Sequence, residues 1–141
     1  MPELSIEPYS KETPKPWGKE VLLSPDDLPY VGKLLFINAG ARLSLQYHDE
    51  KEETQCLISG MALLWLENDE GEIEKIEMEP ECGYTIRPNR KHRLEGIEDA
   101  VVFEASTPEI GTTFRVEDDY ERPDETEELR AEDNRGWNPE S

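Results

Sequence analysis

The chain has 141 residues, 35% of them apolar and 35% charged, with a formal net charge of −19. That length holds one domain with a real core and is short for two. A surface so negative repels phosphate backbones and anionic lipid, which argues against nucleic acid and membrane as main partners and leaves any phosphate site to a local cationic pocket.

The opening stretch MPELSIEPYSKETPKP (residues 1–16) carries four prolines and little periodicity. It reads as an extended arm, loose or added as an edge strand to a neighbour. Over residues 17–114 the apolar residues gather into short β-type runs: GKEVLL, YVGKLLFIN, RLSLQYH, TQCLISG, MALLWLEN, EIEKIEM, GYTIRP, HRLEGI and DAVVFEAST. The turns SPDD, NAG, DEKE, NDEG, EPECG and PNRK separate them. About nine closely spaced strands with hardly any helical periodicity predict an all-β sandwich or barrel. Beyond Arg122 the chain turns acidic, PDETEELRAEDNRGWNPES. Asp124 followed by Glu127 resembles a capping box and predicts a helix of about two turns, as far as residues 134–136. Trp137 then either packs back on the barrel or onto a partner, or sits incidentally in a disordered tail. The domain map is an arm (1–16), a barrel (17–122) and an acidic tail (123–141).

Cys56 and Cys82 lie 26 residues apart, without a CxxC. With no charged leader and no apolar run of transmembrane length, the expectation is a cytoplasmic protein with two reduced, buried thiols.

Side chains alternate along a strand, so Gln46 and His48 in RLSLQYH share a face, with Ser44 and Arg42 continuing the row. The turn DEKE reverses the chain, so that Glu53 begins the paired strand close to His48. In GYTIRPNRKHRL, Gly83 and Pro88 bracket a strand and a tight turn, and His92 starts the next strand, placed to return to the same mouth. Imidazole, carboxylate and amide oxygen form a mixed N/O set suited to Zn, Mn, Fe, Co or Ni. Either histidine alone would read as a hydrogen-bonded structural residue, but both of the chain's 2 histidines fall in this set. The basic cluster RPNRKHR (residues 87–93) beside His92 reads as the rim of an anion pocket rather than as a solvated turn. Trp65, on an apolar strand, is expected in the core, and Trp17 in the core or at the mouth. The acids of EDDY (residues 117–120) point different ways, so this segment reads as a solvated edge paired with Arg115 and Arg122, not as a second metal site.

Gly40-(x)7-His48-(x)4-Glu53-(x)6-Gly60, then Gly83-(x)4-Pro88-(x)3-His92, resembles the two cupin motifs, with Gln46 where the first cupin histidine would stand. More narrowly, PWGKE, AGARLSLQYH, EETQCLISG, YTIRPNRKHRLEG and FRVEDDYERPDE resemble the type II phosphomannose isomerase domain, over residues 16–122. That domain is also found at the C-terminus of bifunctional mannose-1-phosphate guanylyltransferases. With no guanylyltransferase domain and no Gly-rich phosphate loop in this chain, nucleotidyl transfer is set aside. The resemblance implies a double-stranded β-helix (jelly-roll) barrel with a short C-terminal helical tail, usually dimeric. It implies Gln46, His48, Glu53 and His92 as ligands of a divalent metal, Zn favoured, with Mn, Co, Ni or Fe as alternatives. The implied reaction interconverts mannose 6-phosphate and fructose 6-phosphate.

Aldose–ketose isomerisation through an enediol needs an electrophile at the sugar oxygens and a base at the carbon. Lys51, Lys91, Tyr84 and a carboxylate outside the metal set are the candidate bases, a lysine desolvated beside the metal having a depressed pKa. Arg42, Arg87, Arg90, Lys91 and Arg115 are the candidate phosphate donors. Two positions depart from the isomerase pattern, which has an Arg three residues after the histidine and a Trp two after the glutamate; here they are Lys51 and Gln55. Lysine keeps the charge without the bidentate grip, and glutamine removes a large pocket wall. These departures suit a relative acting on a different sugar or sugar phosphate, or a metal- and sugar-binding cupin module without turnover. A non-haem metal oxygenase comes third, disfavoured by the amide ligand.

Overall fold

The structure, a computed structural model, describes residues 7–131. It contains β1 (Lys11–Lys15), β2 (Gly18–Leu22), β3 (Val31–Ile37), β4 (Leu45–His48), β5 (Glu53–Ser59) and β6 (Ala62–Glu67). These are followed by β7 (Ile73–Glu77), β8 (Gly83–Ile86), β9 (His92–Gly96), β10 (Ala100–Ser106), β11 (Thr113–Glu117) and the single helical turn α1 (Glu127–Arg130). The nine expected runs are β2 to β10. The strands form two antiparallel sheets, one ordered β1-β2-β3-β10-β5-β8 and the other β11-β4-β9-β6-β7. The all-β jelly-roll expectation holds.

Period-two alternation decides what lies between the sheets. In β3 the inward residues are Lys33, Leu35 and Ile37; in β10 they are Ala100, Val102 and Glu104; in β5 they are Glu53, Gln55 and Leu57. The register aligns them into rungs. Leu35, Val102 and Leu57 form one, and the next holds Lys33, Glu104 and Gln55. The interior therefore changes from apolar to polar within a single rung. Leu64 and Leu94 face the apolar part from the opposite sheet, almost fully buried, and each such side chain contributes about 1.5–3 kcal/mol when buried.

Several expectations are corrected. Of the arm, residues 11–15 take the edge-strand alternative, with β1 pairing to β2 of the same chain rather than to another molecule, from Lys11 opposite Leu22 to Lys15 opposite Gly18. The segment after the nine runs supplies a further strand, β11, paired with β4. The helix is capped by Thr126, whose hydroxyl accepts from the Leu129 N–H, while Asp124 instead accepts from the Arg115 N–H at 2.9 Å. Only one helical turn lies in the described residues; the rest of the expected helix and Trp137 fall outside them. Trp65 is not in the core. It lies on the outer face of β6, where its Nε1–H donates to Glu95 at 3.0 Å and Lys75 sits 4.1 Å over its ring. Both cysteines are free, Cys56 half-buried and Cys82 exposed rather than buried. Among the described residues no helix is long and apolar enough to cross a membrane.

Candidate metal centre

The polar end of the interior gathers side chains from both sheets. β4 carries Gln46 and His48, and β9 places His92 directly across from Gln46. β5 does not pair with β4 as the turn DEKE suggested: the two strands belong to different sheets, and Glu53 reaches the histidines across the sandwich. Glu53 Oε1 lies 3.4 Å from His48 Nε2 and 2.8 Å from His92 Nε2. The three candidate ligand atoms lie within 4.8 Å of one another, and all three residues are buried.

Hydrogen bonds on the far side of each ring aim these atoms. His92 Nδ1 is 2.9 Å from the Arg90 carbonyl, which can only accept, so Nδ1 carries the hydrogen and neutral His92 presents a lone pair at Nε2. That lone pair faces Glu53 Oε1, and neither atom has a hydrogen-bond partner. With His92 neutral, two buried acceptors 2.8 Å apart repel unless a proton or a metal cation joins them. A divalent metal fits that position and the N/O donor set. His48 Nδ1 is held by the Thr113 hydroxyl at 2.8 Å. The β8–β9 turn is tied to the same strand, the Asn89 N–H donating to the His48 carbonyl at 2.7 Å.

Burial, helped by the Lys51 charge, pushes His48 below its ordinary pKa and keeps it in the neutral, ligating form. Burial also opposes charge on His92, but the Glu53 carboxylate outweighs it and raises the pKa. Glu53 stays well below the usual carboxylate range despite burial, because Lys51 and its other neighbours favour the anion.

A buried ion network adjoins the three residues. Lys51 Nζ lies 3.0 Å from Glu109, 3.3 Å from Glu104 and 3.6 Å from Glu53. Lys33 Nζ lies 3.0 Å from Glu20, 3.3 Å from Glu109 and 3.4 Å from Glu104. The depressed lysine pKa expected at Lys51 is not found. Burial pulls it down, but Glu104, Glu109 and Glu53 prevail and hold it above the usual lysine value. Glu104, pushed up by burial and by the Glu53 charge, is a further buried acid beside the centre that the motif spacing does not mark. The signal was present, since in AVVFEAS it occupies the inward parity of Ala100 and Val102, where a lone acid is out of place. Lys33 in VGKLLFI breaks the same pattern.

The other expected site residues divide. Gln46, Lys51 and Arg115 line the cavity beside the centre, as do Trp17 and Gln55. Arg115 holds the Pro123 carbonyl at 2.6 Å and Glu125 at 3.2 Å. Lys91 lies outside the wall, and its N–H donates to the Glu67 side chain at 3.2 Å. Tyr84 also lies outside, its hydroxyl accepting from the Glu79 N–H at 2.9 Å. Arg87 is exposed and 3.5 Å from Glu52, and Arg90 is paired with Asp69. For these two, the solvated turn with surface salt bridges is what the structure contains.

Arg42 is turned away by a change of register. Gln46 faces His92 and Arg42 faces Glu95, so a step of four residues on one strand matches a step of three on the other. That extra residue flips the face, as a bulge does. Arg42 therefore stands outside with Trp65, bonded to Asp119 at 2.6 Å. Fully buried Arg93 joins it through Glu117 at 3.1 Å, and Asp118 pairs with Arg122 at 2.9 Å. The EDDY edge is arginine-paired as expected, with Arg42 and Arg93 in place of Arg115.

No protein-family model matches the chain, and no curated protein matches it in sequence. Solved structures do match in shape. The capsular polysaccharide assembling protein CapF from Staphylococcus aureus aligns with a TM-score of 0.66 at 15% identity, over 79% of this chain and 33% of its own. Oxalate decarboxylase from Bacillus subtilis aligns at 0.65 and 15%, over 82% of this chain and 33% of its own. KdgF from Halomonas sp. aligns at 0.57 and 16%, over 68% of this chain and 84% of its own. The chain thus spans about a third of CapF and of oxalate decarboxylase. At these identities the likeness shows the fold, and the fold is the cupin jelly-roll.

Proposed function

We propose that this chain is a metal-dependent enzyme of the aldose–ketose isomerase type, with Gln46, His48, Glu53 and His92 holding a divalent metal. Zn is favoured, with Mn, Co, Ni or Fe as alternatives. The observation that carries the reading is the convergence of His48 Nε2 and His92 Nε2 on Glu53 Oε1, two of these three atoms lacking a hydrogen-bond partner. When bound, the metal supplies electrophilic stabilisation of charge developing on the sugar oxygens. Glu20, Glu104, Glu109 and Glu125 border the cavity outside the ligand set, and of these Glu104, on the same rung as Gln55, is the one assigned to move a proton between adjacent carbons. Lys51, held cationic, donates to a substrate oxygen. Thr113 and the Arg90 carbonyl keep the imidazoles in register.

Mannose 6-phosphate and fructose 6-phosphate are the pair that the family resemblance implies, as is a homodimer. Deuterium exchange in D2O tests the chemistry: metal-loaded protein should label C1 or C2 of an aldose–ketose pair, and chelator or Glu53→Gln should abolish labelling. A panel of free and phosphorylated hexoses and pentoses showing neither exchange nor conversion would sink the isomerase. The ion network around Lys51 and Gln55 favours a second reading, a binding module, marked by ligand-induced stabilisation without exchange.

A further inference from the structure

We infer that the site takes a neutral polyhydroxylated ligand, a free sugar or polyol, in preference to a phosphate ester, with Gln55 as the acceptor that fixes one ligand hydroxyl. The inference rests on the metal-site reading above and names the substrate class of that site.

Three observations lead to it. Among the described residues the cavity wall carries five lysine or arginine cations and five glutamates. Lys51 and Lys33 each lie within 3.6 Å of three carboxylates. A phosphate dianion entering here would draw a lysine off its carboxylates and leave buried acids uncompensated, which costs several kcal/mol per ion. The guanidinium groups that line the cavity are already engaged, Arg115 with the Pro123 carbonyl and Glu125 and Arg122 with Asp118, while Arg42 lies on the outer face with Asp119 and Arg87 and Arg90 lie on the exposed turn.

Gln55 gives the positive half of the argument. It is 2% exposed, lines the cavity, and its Oε1 has no hydrogen-bond partner. Its Nε2 donates to Glu104 Oε1 at 3.3 Å, which sets the amide orientation, since a flip would turn oxygen against carboxylate oxygen. A buried acceptor is therefore left for a ligand. A sugar hydroxyl has the proton to give it, whereas a phosphate dianion seated at Oε1 has none and would be repelled. Gln55 thus fixes a hydroxyl at this point, and the paired lysines are what disfavour the ester. Gln55 follows Glu53 by two residues on the same face of β5, about 7 Å along the strand. A ligand hydroxyl on Oε1 thus lies within one sugar length of the candidate metal position.

The test is calorimetric titration of the full-length, Mn-loaded protein with D-mannose, D-fructose and their 6-phosphates, after a separate titration of Mn alone. The free sugars should bind at least about ten-fold more tightly than their phosphates. Gln55→Met, which keeps volume and removes the acceptor, should weaken free-sugar binding about ten-fold, the worth of one good hydrogen bond, and leave Mn affinity unchanged. Equal or tighter binding of the phosphates overturns the inference, as does unaltered sugar binding by folded Gln55→Met. Mn uptake with no sugar binding overturns the substrate class and leaves the metal reading standing. Failure to take up Mn removes both. If the variant misfolds, the comparison of sugar with phosphate on the unsubstituted protein decides alone.

Discussion

Asp118 and Arg122 are nearly covered, with side-chain exposures of 4% and 6%, and they pair through Arg122 Nε at 2.9 Å and the Arg122 N–H at 2.7 Å. Burial alone would raise the Asp118 pKa, but these bonds outweigh it and hold it below 3.8. A depressed carboxylate pKa contributes stability above the unfolded value that is lost as pH falls through the folded value. Asp118→Asn should therefore cost about 1–2 kcal/mol at neutral pH, the worth of charge-assisted hydrogen bonds between residues that are half-buried as a whole, after solvent screening. The Tm gap to the unsubstituted chain should narrow below about pH 4; a gap that stays constant from pH 7 down to strongly acidic buffer would refute the ion-pair account. At this scale the candidate ligands were legible because histidine is rare in the chain, and two at motif spacing stand out. The arginines were not: identical guanidinium groups at Arg42, Arg90 and Arg115 met three different fates, each set by a carboxylate or carbonyl distant in sequence or on a turn.

Strands were easier to read than their partners. Alternation in VGKLLFI or AVVFEAS is a local pattern, and it placed all nine runs. The pairing of β4 with β9 and β11, and of β5 with β10 and β8, is not local, and the short turn after His48 suggested a hairpin that does not form. Turns carry their own requirement. Gly60 has φ +81°, and a Cβ there would lie 2.0 Å from the Asp99 carbonyl oxygen, whereas Gly71, at φ +80°, faces open space. Gly71→Ala should cost about 1 kcal/mol from backbone conformation alone. Gly60→Ala should cost more, because the Asp99 main chain must also move. Urea unfolding of the two variants checks the order, and equal losses would show that the close approach to Asp99 does not matter.

For the whole molecule, the net charge of −19 is self-repulsion that the fold tolerates. Raising NaCl from about 10 mM to about 0.5 M shortens the Debye length from about 30 Å to a few ångström, so Tm should rise. The buried pairs of Lys33 and Lys51 with their glutamates are screened least and should not offset the gain. A falling Tm would mean that attractive surface pairs outweigh the repulsion. The chain's own order was sufficient for the all-β class, the nine core strands, a carboxylate near a pair of histidines and the acidic exterior, because side-chain period and residue type are local properties. The assignment of β4 and β5 to opposite sheets, the outward turn of Arg42, the charge held on Lys51 and the entry of Glu104 into the site were settled by contacts between distant residues. Lys33 with Glu109 and Lys51 with Glu104 are separated by 76 and 53 positions. Burial and Coulomb interactions act through space, so a lysine that reads as a base in sequence becomes a fixed cation once three carboxylates close around it.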